Sequence, residues 1–209
     1  SVKGYVQLLE RSINKQDTAT IKKHLAKAQV QLEKLNVLIA DLLDISKIES
    51  GKIKFNMQDF CIDQLIDNLI EVMHQSNPEF KINRRGFANR AIYGDEMRIE
   101  QVIVNFLTNA IKYSPGTNEI DVTVNVKDGE LYLAVKDFGI GMSPEQQQKV
   151  FDKFYRVEET SQRFPGLGIG LYISSEIVTR HQGRVGLNSE YGKGSEFYFI
   201  IPTDLKTEA

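Results

Sequence analysis

From Ile21 the apolar residues step by alternating fours and threes, through Leu25, Ala28, Leu32, Leu35, Ile39 and Leu42, with Ile45 and Ile48 extending the stripe. That spacing is a heptad seam. A shorter stretch, Val2, Val6, Leu9 and Ile13, keeps the same rhythm and is set apart by the polar residues 14–20, where Asp17 or Thr18 stands ready to cap a second helix. The pattern predicts a helical hairpin over residues 1–50. Two amphipathic helices cannot cover seams this long and apolar, so a partner hairpin completing a four-helix bundle is the economical solution, and a homodimer is expected. The competing reading packs the hairpin on its own globular domain.

After Ser50-Gly51 the period changes, which predicts a second domain over residues 51–209. A strand is expected at 52–57, an amphipathic helix at 62–74 and another at 98–113, the last with Ile99, Val102, Ile103, Phe106, Leu107 and Ala110 on one side. Ile120, Val122, Val124 and Val126, then Leu131, Leu133 and Val135, alternate strictly around Asp128-Gly129, the mark of an antiparallel hairpin. Val185 to Asn188 and Phe197 to Ile201 predict another around Gly192-Lys193-Gly194. Helices and antiparallel strands in this order predict an α+β chain whose second part is a two-layer α/β sandwich with helices on one face, rather than a parallel dinucleotide-binding sheet.

Composition narrows the chemistry. The 26 Lys and Arg nearly balance 28 Asp and Glu, so no global cationic field points to nucleic acid or an anionic membrane, and any anion site must be local. A single cysteine, Cys61, excludes an intrachain disulfide and multi-thiolate metal sites; it reads as a small buried helix residue. No apolar run approaches the roughly 20 residues of a membrane span, and Ser1 opens no signal-peptide pattern.

The candidate chemistry lies between Asn105 and Ser195. Asn105 and Asn109 are one helical turn apart, with Lys112 and Tyr113 a turn further, so amide oxygens and an ammonium can address one side of a groove. Such a face suits a hydrated Mg2+ carrying phosphates, because Mg2+ takes few protein ligands and keeps water and phosphate oxygens. The β-hairpin then runs into Asp137-Phe138-Gly139-Ile140-Gly141, and Gly166-Leu167-Gly168-Ile169-Gly170 opens a later helix whose free N–H groups can face phosphate. Between these clusters, residues 142–165 are long, polar and interrupted by Phe151, Phe154 and Tyr155, the profile of a lid or binding loop. The two phenylalanines are expected to clip that lid to the domain.

This order of elements resembles the ATP-binding domain of sensor histidine kinases in the GHKL superfamily, of the Bergerat type. Asn105-Phe106-Leu107-Thr108-Asn109-Ala110-Ile111-Lys112-Tyr113 looks like the family's N box, Asp137 to Gly141 its first glycine box, and Phe151-Asp152-Lys153-Phe154 its phenylalanine box. Gly166 to Leu171 and Gly192-Lys193-Gly194-Ser195 match the second and third glycine boxes, with Ser195 where a threonine is more usual. The stretch from Asp41 to Gly51 likewise resembles the end of that family's dimerisation and histidine-phosphotransfer hairpin.

The resemblance implies roles. Asp137 would accept the exocyclic amine of adenine, and Asn109 would ligate Mg2+ with Asn105 beside it. Lys112 and Arg156 would meet phosphate charge, and Tyr113 would lie near the nucleotide. Gly139, Gly141, Gly166, Leu167, Gly168, Gly170 and Ser195 would complete the ATP site. In the superfamily's ATPases, such as type II topoisomerases and heat-shock chaperones, the residue matching Asn105 is a glutamate that activates water. An amide lacks that basicity, so Asn105 argues for a kinase, and Glu100 is expected on the surface. The family's acceptor histidine, followed by an acidic residue, is expected roughly two helical turns before Ser1. His24, His74 and His181 are not followed by Asp or Glu; a solvated role is expected for His24 and structural or capping roles for the others. The chain is therefore expected to hold no catalytic residue of its own and to be unable to phosphorylate itself. The function implied is a kinase core that transfers the γ-phosphoryl of ATP to histidine for relay to a response-regulator receiver domain. It would act in the cytoplasm, with membrane attachment only through segments outside this chain. Two alternatives stay open, a non-catalytic ATP-sensing module and a GHKL ATPase.

Overall fold

The computed structural model describes Gly4 and residues 18–51, 54–157 and 167–204. The chain divides into two compact units, Ser1–Lys52 and Ile53–Ala209.

In the first unit α1 runs Thr18–Glu49, and the shorter stripe from Val2 to Ile13 and the capping candidate Asp17 lie outside the described residues. Its end is set locally. Gly51 turns to φ +66° and donates its N–H to the Ile48 carbonyl at 3.0 Å, while the Ser50 hydroxyl donates to the Ser46 carbonyl at 2.8 Å. The heptad seam is divided. Ala28, Ile45 and Ile48 are buried, whereas Leu25, Leu32, Leu35, Ile39 and Leu42 remain between 47% and 53% exposed. His24, expected in solvent, is half-buried. No helix among the described residues is long and apolar enough to cross a membrane.

The second unit holds the remaining elements. β1 (Gln58–Phe60) pairs antiparallel with β3 (Ile92–Gly94), and a five-stranded sheet is built from β2 (Lys81–Arg85), β4 (Glu119–Lys127), β5 (Glu130–Asp137), β7 (Gly194–Pro202) and β6 (Arg184–Glu190), in that spatial order. The helices are α2 (Ile62–Ser76), α3 (Glu96–Lys112), the single turn α4 (Pro144–Gln147) and α5 (Gly170–Arg180). Strand alternation sends Ile120, Val122 and Val124, Leu131, Leu133 and Val135, and Phe197, Phe199 and Ile201 to one buried face. There they meet Ile66 and Leu69 of α2, Ile99, Ile103 and Phe106 of α3 and Ile173 and Ile177 of α5. Phe106 is the hub, its ring 5.7 Å from that of Phe197 and 6.4 Å from that of Phe199. Each such side chain removed from water stabilises the layer by about 1.5–3 kcal/mol.

The β4–β5 turn follows its sequence: Asp128 and Gly129 both take positive φ, at 53° and 78°, as a two-residue hairpin matching strand twist requires.

Three expectations need correction. The sheet is mixed, because β2 pairs parallel to β4, with Ile82 opposite Ile120. β2 escapes the periodicity argument because Ile82 is its one buried side chain. The strand expected at 52–57 is displaced: Lys52 and Ile53 lie outside the described residues, 54–57 pair with no strand, and β1 begins at Gln58 because its partner β3 spans Ile92–Gly94. Instead the Asn56 N–H donates to Asp95 and the Phe55 ring stands edge-on to His181 at 5.4 Å. Cys61 is exposed and sits at the N-cap of α2 rather than within the helix.

Candidate functional site

α3 is fastened at its start and presents polar groups at its end. Asp95 caps it, accepting the Arg98 N–H at 3.1 Å on Oδ1 and the Asn56 N–H at 2.8 Å on Oδ2. The Asp95 N–H in turn donates to His181 Nε2 at 2.9 Å, and His181 Nδ1 lies 2.8 Å from the Ile177 carbonyl. One ring nitrogen must accept and the other donate, so this imidazole is the neutral Nδ1–H tautomer, and burial holds its pKa below the usual histidine range. His181 is thereby structural; His74 is exposed in the last turn of α2.

Three turns on, the Asn105 amide donates to the Ser174 hydroxyl of α5 at 3.0 Å, and Asn109 donates to Asn105 Oδ1 at 3.4 Å. The chain Ser174–Asn105–Asn109 uses up Asn105 and leaves the Asn109 carbonyl oxygen as the acceptor. Gly170 makes this approach possible, since a Cβ there would fall 2.5 Å from Asn105 Oδ1. Lys112 places its Nζ 4.6 Å from the Tyr113 ring centroid, within cation–π range. Glu100 is half-buried rather than fully on the surface.

Asp137 ends β5 and is 3% exposed. Its Oδ1 accepts the Gly139 N–H at 2.9 Å and the Ser195 N–H at 3.2 Å, and Oδ2 takes neither. Burial pushes this carboxyl up to about 6, against the two N–H groups, which favour its charged form. The glycine loop that follows is held from two sides: Ile140 donates to the Tyr113 carbonyl at 3.1 Å and accepts from the Gly192 N–H at 2.7 Å. The close approach that its glycines allow is to the protein's own backbone, for a Cβ on Gly139 would meet the Tyr113 carbonyl oxygen at 2.0 Å, and Gly141 backs onto the Glu190 carbonyl. Ser195 is fixed by its hydroxyl, 3.0 Å from that of Ser189, which also accepts the Met142 N–H at 2.9 Å.

The predicted lid is anchored at its start. Ser143 and Gln146 form a capping box on α4, and the Gln147 amide donates to the Met142 and Ser189 carbonyls at 3.0 and 2.9 Å. Of the two phenylalanines, Phe151 packs edge-on against Phe197 at 6.2 Å, whereas Phe154 is 55% exposed with φ +65°. Gly168 lies against the Tyr155 backbone and the Arg156 side chain, so Arg156 is brought to the head of α5, with Leu167 exposed beside it. Gly166, with residues 158–165, lies outside the described residues.

The structure thus brings together Asn105, Asn109 and Gly170 across α3 and α5; Tyr113, Gly139, Asp137 and Ser195 around the glycine loop; and Gly168 with Arg156. Sequence reasoning missed Ser174 and Ser189. Ser174 carried one usable signal, its place one turn after Gly170 on the face of α5 that meets α3. Among the described residues no three His, Cys, Asp or Glu side chains cluster to hold a metal. The donor on offer at the end of α3 is the Asn109 carbonyl oxygen, which fits an ion held mainly by phosphate and water.

A family model described as histidine kinase-, DNA gyrase B-, and HSP90-like ATPase matches residues 94–205, from the end of β3 past the end of β7. The chain belongs to this family. Its mixed α/β sheet with helices is the GHKL fold. The sensor histidine kinase WalK of Bacillus subtilis (strain 168) is 34% identical over 179 residues, covering 83% of this chain and 29% of WalK. The chain therefore spans less than a third of that relative. Among solved structures, full-length ShkA in complex with AMPPNP aligns with a TM-score of 0.74 and 26% identity, over 88% of this chain and 39% of that one. The histidine kinase ThkA in complex with the response regulator TrrA aligns with a TM-score of 0.68 and 20% identity over 97% of this chain and 59% of its own, a likeness of fold.

Proposed function

We propose that residues 51–209 form a catalytic domain that binds ATP with Mg2+ and passes the γ-phosphoryl to a histidine, for relay to an aspartate on a response-regulator receiver domain. One observation carries the reading: Asp137 is buried with Oδ1 committed to two backbone N–H groups and Oδ2 left as an acceptor. An ionised carboxylate only accepts, so it favours the amine of adenine over the carbonyl that guanine carries at the same position.

Asn109 would supply its carbonyl oxygen to Mg2+, oriented by the hydrogen bond that its own amide N–H2 donates to Asn105 Oδ1. Bound there, Mg2+ would neutralise the charge on the transferring phosphoryl. Lys112 and Arg156 would face the phosphates, Tyr113 the nucleotide, and the loops bearing Gly139, Gly141, Gly166, Leu167, Gly168, Gly170 and Ser195 would enclose it. A hydrolase is the weaker reading: Asn105 has no basic lone pair for a water, and its amide is spent on Ser174 and Asn109. None of this chain's three histidines takes the acceptor role in the proposal, since His181 is buried with both nitrogens engaged and none has an acidic residue directly after it.

Residues 1–50 are proposed as a dimerisation hairpin that completes a four-helix bundle with a second copy. The half-exposed Leu25, Leu32, Leu35, Ile39 and Leu42 are the surface such a partner would cover. The site of action is proposed to be the cytoplasm.

Calorimetric titration with ATP, ADP and GTP in Mg2+ tests the function. ATP and ADP are expected to bind and GTP not; equal affinities would overturn the reading. Incubation with γ-labelled ATP and a longer protein bearing the acceptor histidine separates a kinase from a passive ATP sensor, because only the kinase produces acid-labile label.

A further inference from the structure

Pro115 ends α3, since proline lacks an N–H and disfavours helical backbone at the residue before it. The chain then turns through residues 114–117, with the Thr117 N–H donating to the Ser114 carbonyl at 3.3 Å. This turn is clamped onto the loop that leaves Asp137: Ile140 donates to the Tyr113 carbonyl at 3.1 Å, and a Cβ on Gly139 would stand 2.8 Å from the Ser114 Cα.

Two hydroxyls are shut inside, Ser114 Oγ and Thr117 Oγ1, and neither meets a hydrogen-bond partner. Ser114 is 2% exposed. Buried polar groups without partners are rare in folded proteins and each asks for a reason. Here the reason is next door. Ser114 packs against Gly139, whose N–H donates to Asp137, and the Ser114 hydroxyl favours the charged form of that carboxylate. Burial, the Gly139 and Ser195 N–H groups and this hydroxyl are the influences on that charge. A hydroxyl rotates about one bond and can aim its single O–H at an acceptor carboxylate.

We propose that Ser114 is a positioning residue for adenine recognition, its buried hydroxyl turning onto the Asp137 carboxylate and holding it as an oriented acceptor. The assignment rests on the nucleotide reading above. It gives Asp137 a third donor besides Gly139 and Ser195, and it gives Ser114 the partner it lacks. Thr117 shares the turn but exerts no such influence, which makes it the internal control.

The test follows the carboxyl carbon of Asp137 by NMR titration in the ligand-free full chain, then ADP affinity at pH 6 and pH 8. Ser114→Ala is expected to raise the Asp137 midpoint by about half a pH unit or more. It should weaken ADP binding roughly twofold at pH 6 and hardly at pH 8. Ser114→Thr should restore both, and Thr117→Val should move neither. A merely structural role would lower the melting temperature without moving the midpoint. Should Ser114→Ala fail to fold, Ser114→Cys is read in the same way. An unmoved midpoint in a folded Ser114 variant, with wild-type ADP binding intact, would overturn this proposal alone. Absence of ADP binding to the wild-type chain would overturn both it and the nucleotide reading.

Discussion

Asp95 and Asp137 are the same side chain with similar burial, 6% and 3% exposed, and each accepts two backbone N–H groups. They differ in how those donors are shared. Asp95 takes one on each oxygen, from Asn56 and Arg98, and its surroundings close further where its own N–H meets His181. Asp137 takes both on Oδ1 and keeps Oδ2. The first arrangement is complete and serves the fold, joining the start of α3 to the end of α5. The second carries a cost, visible in a carboxyl that burial pushes up to about 6, and the proposed nucleotide site gives that cost a purpose. Burial is alike at the two; the allocation of donors is what differs, and the proposed function rests on that difference.

The comparison breaks most sharply under one substitution made twice. In Asp137→Asn the amide oxygen can still accept from Gly139 and Ser195, but Nδ2 then faces the adenine amine, donor against donor. ADP affinity is expected to fall by about 100-fold or more, with selectivity against GDP relaxing. The ligand-free protein should become more stable at neutral pH. The rise from 3.8 to about 6 corresponds to at most about 3 kcal/mol, less after local relaxation. In Asp95→Asn one of the two N–H donors must face an N–H2 group. The fold should lose about 1–3 kcal/mol, read as a lower denaturant midpoint, while nucleotide selectivity stays as it was.

Gly170→Ala sharpens the account of α3. A methyl would press on Asn105 Oδ1 at 2.5 Å and disturb the bond that aims Asn109. Binding of ATP with Mg2+ should weaken about tenfold, and the loss should be smaller without the metal. Calorimetry with and without Mg2+ checks it.

The smallest expected effect is in the pH dependence. The raised Asp137 pKa imposes a penalty that is full above about 6 and absent below its unfolded value of 3.8, so it favours the fold as pH falls. His181, held below 6.5, does the reverse: the unfolded chain takes up its proton first, and stability drains as pH falls below 6.5. The two trends oppose each other in the wild type. The stability advantage of Asp137→Asn should therefore shrink as pH drops from 7 to 4, and urea denaturation at stepped pH measures it.

The regions that could be read from sequence were those with strong local patterns. The core helices, the Asp128-Gly129 hairpin and the β6–β7 pair follow from alternation and turn chemistry that act within a few residues. β2 was hidden because an edge strand with one buried side chain has no period, and its parallel partner lies across the whole of α3. Cys61 was misjudged because it stands just before the apolar period that begins at Ile62, and that period does not set which way the preceding residue faces. At the candidate site the glycines and the two asparagines stood out by spacing. Ser174, Ser189 and Ser114 did not, because a buried serine gives no signal until the chain brings it to its neighbour.

The most direct test titrates Asp137→Asn, Asp95→Asn and the wild type with ADP and GDP at pH 7.5 by calorimetry, below the melting temperature of each. The account predicts that Asp95→Asn keeps ADP affinity within a few-fold of wild type and still rejects GDP, while Asp137→Asn loses ADP and its preference for adenine. Equal losses in the two variants, or ADP binding that survives Asp137→Asn, would contradict it.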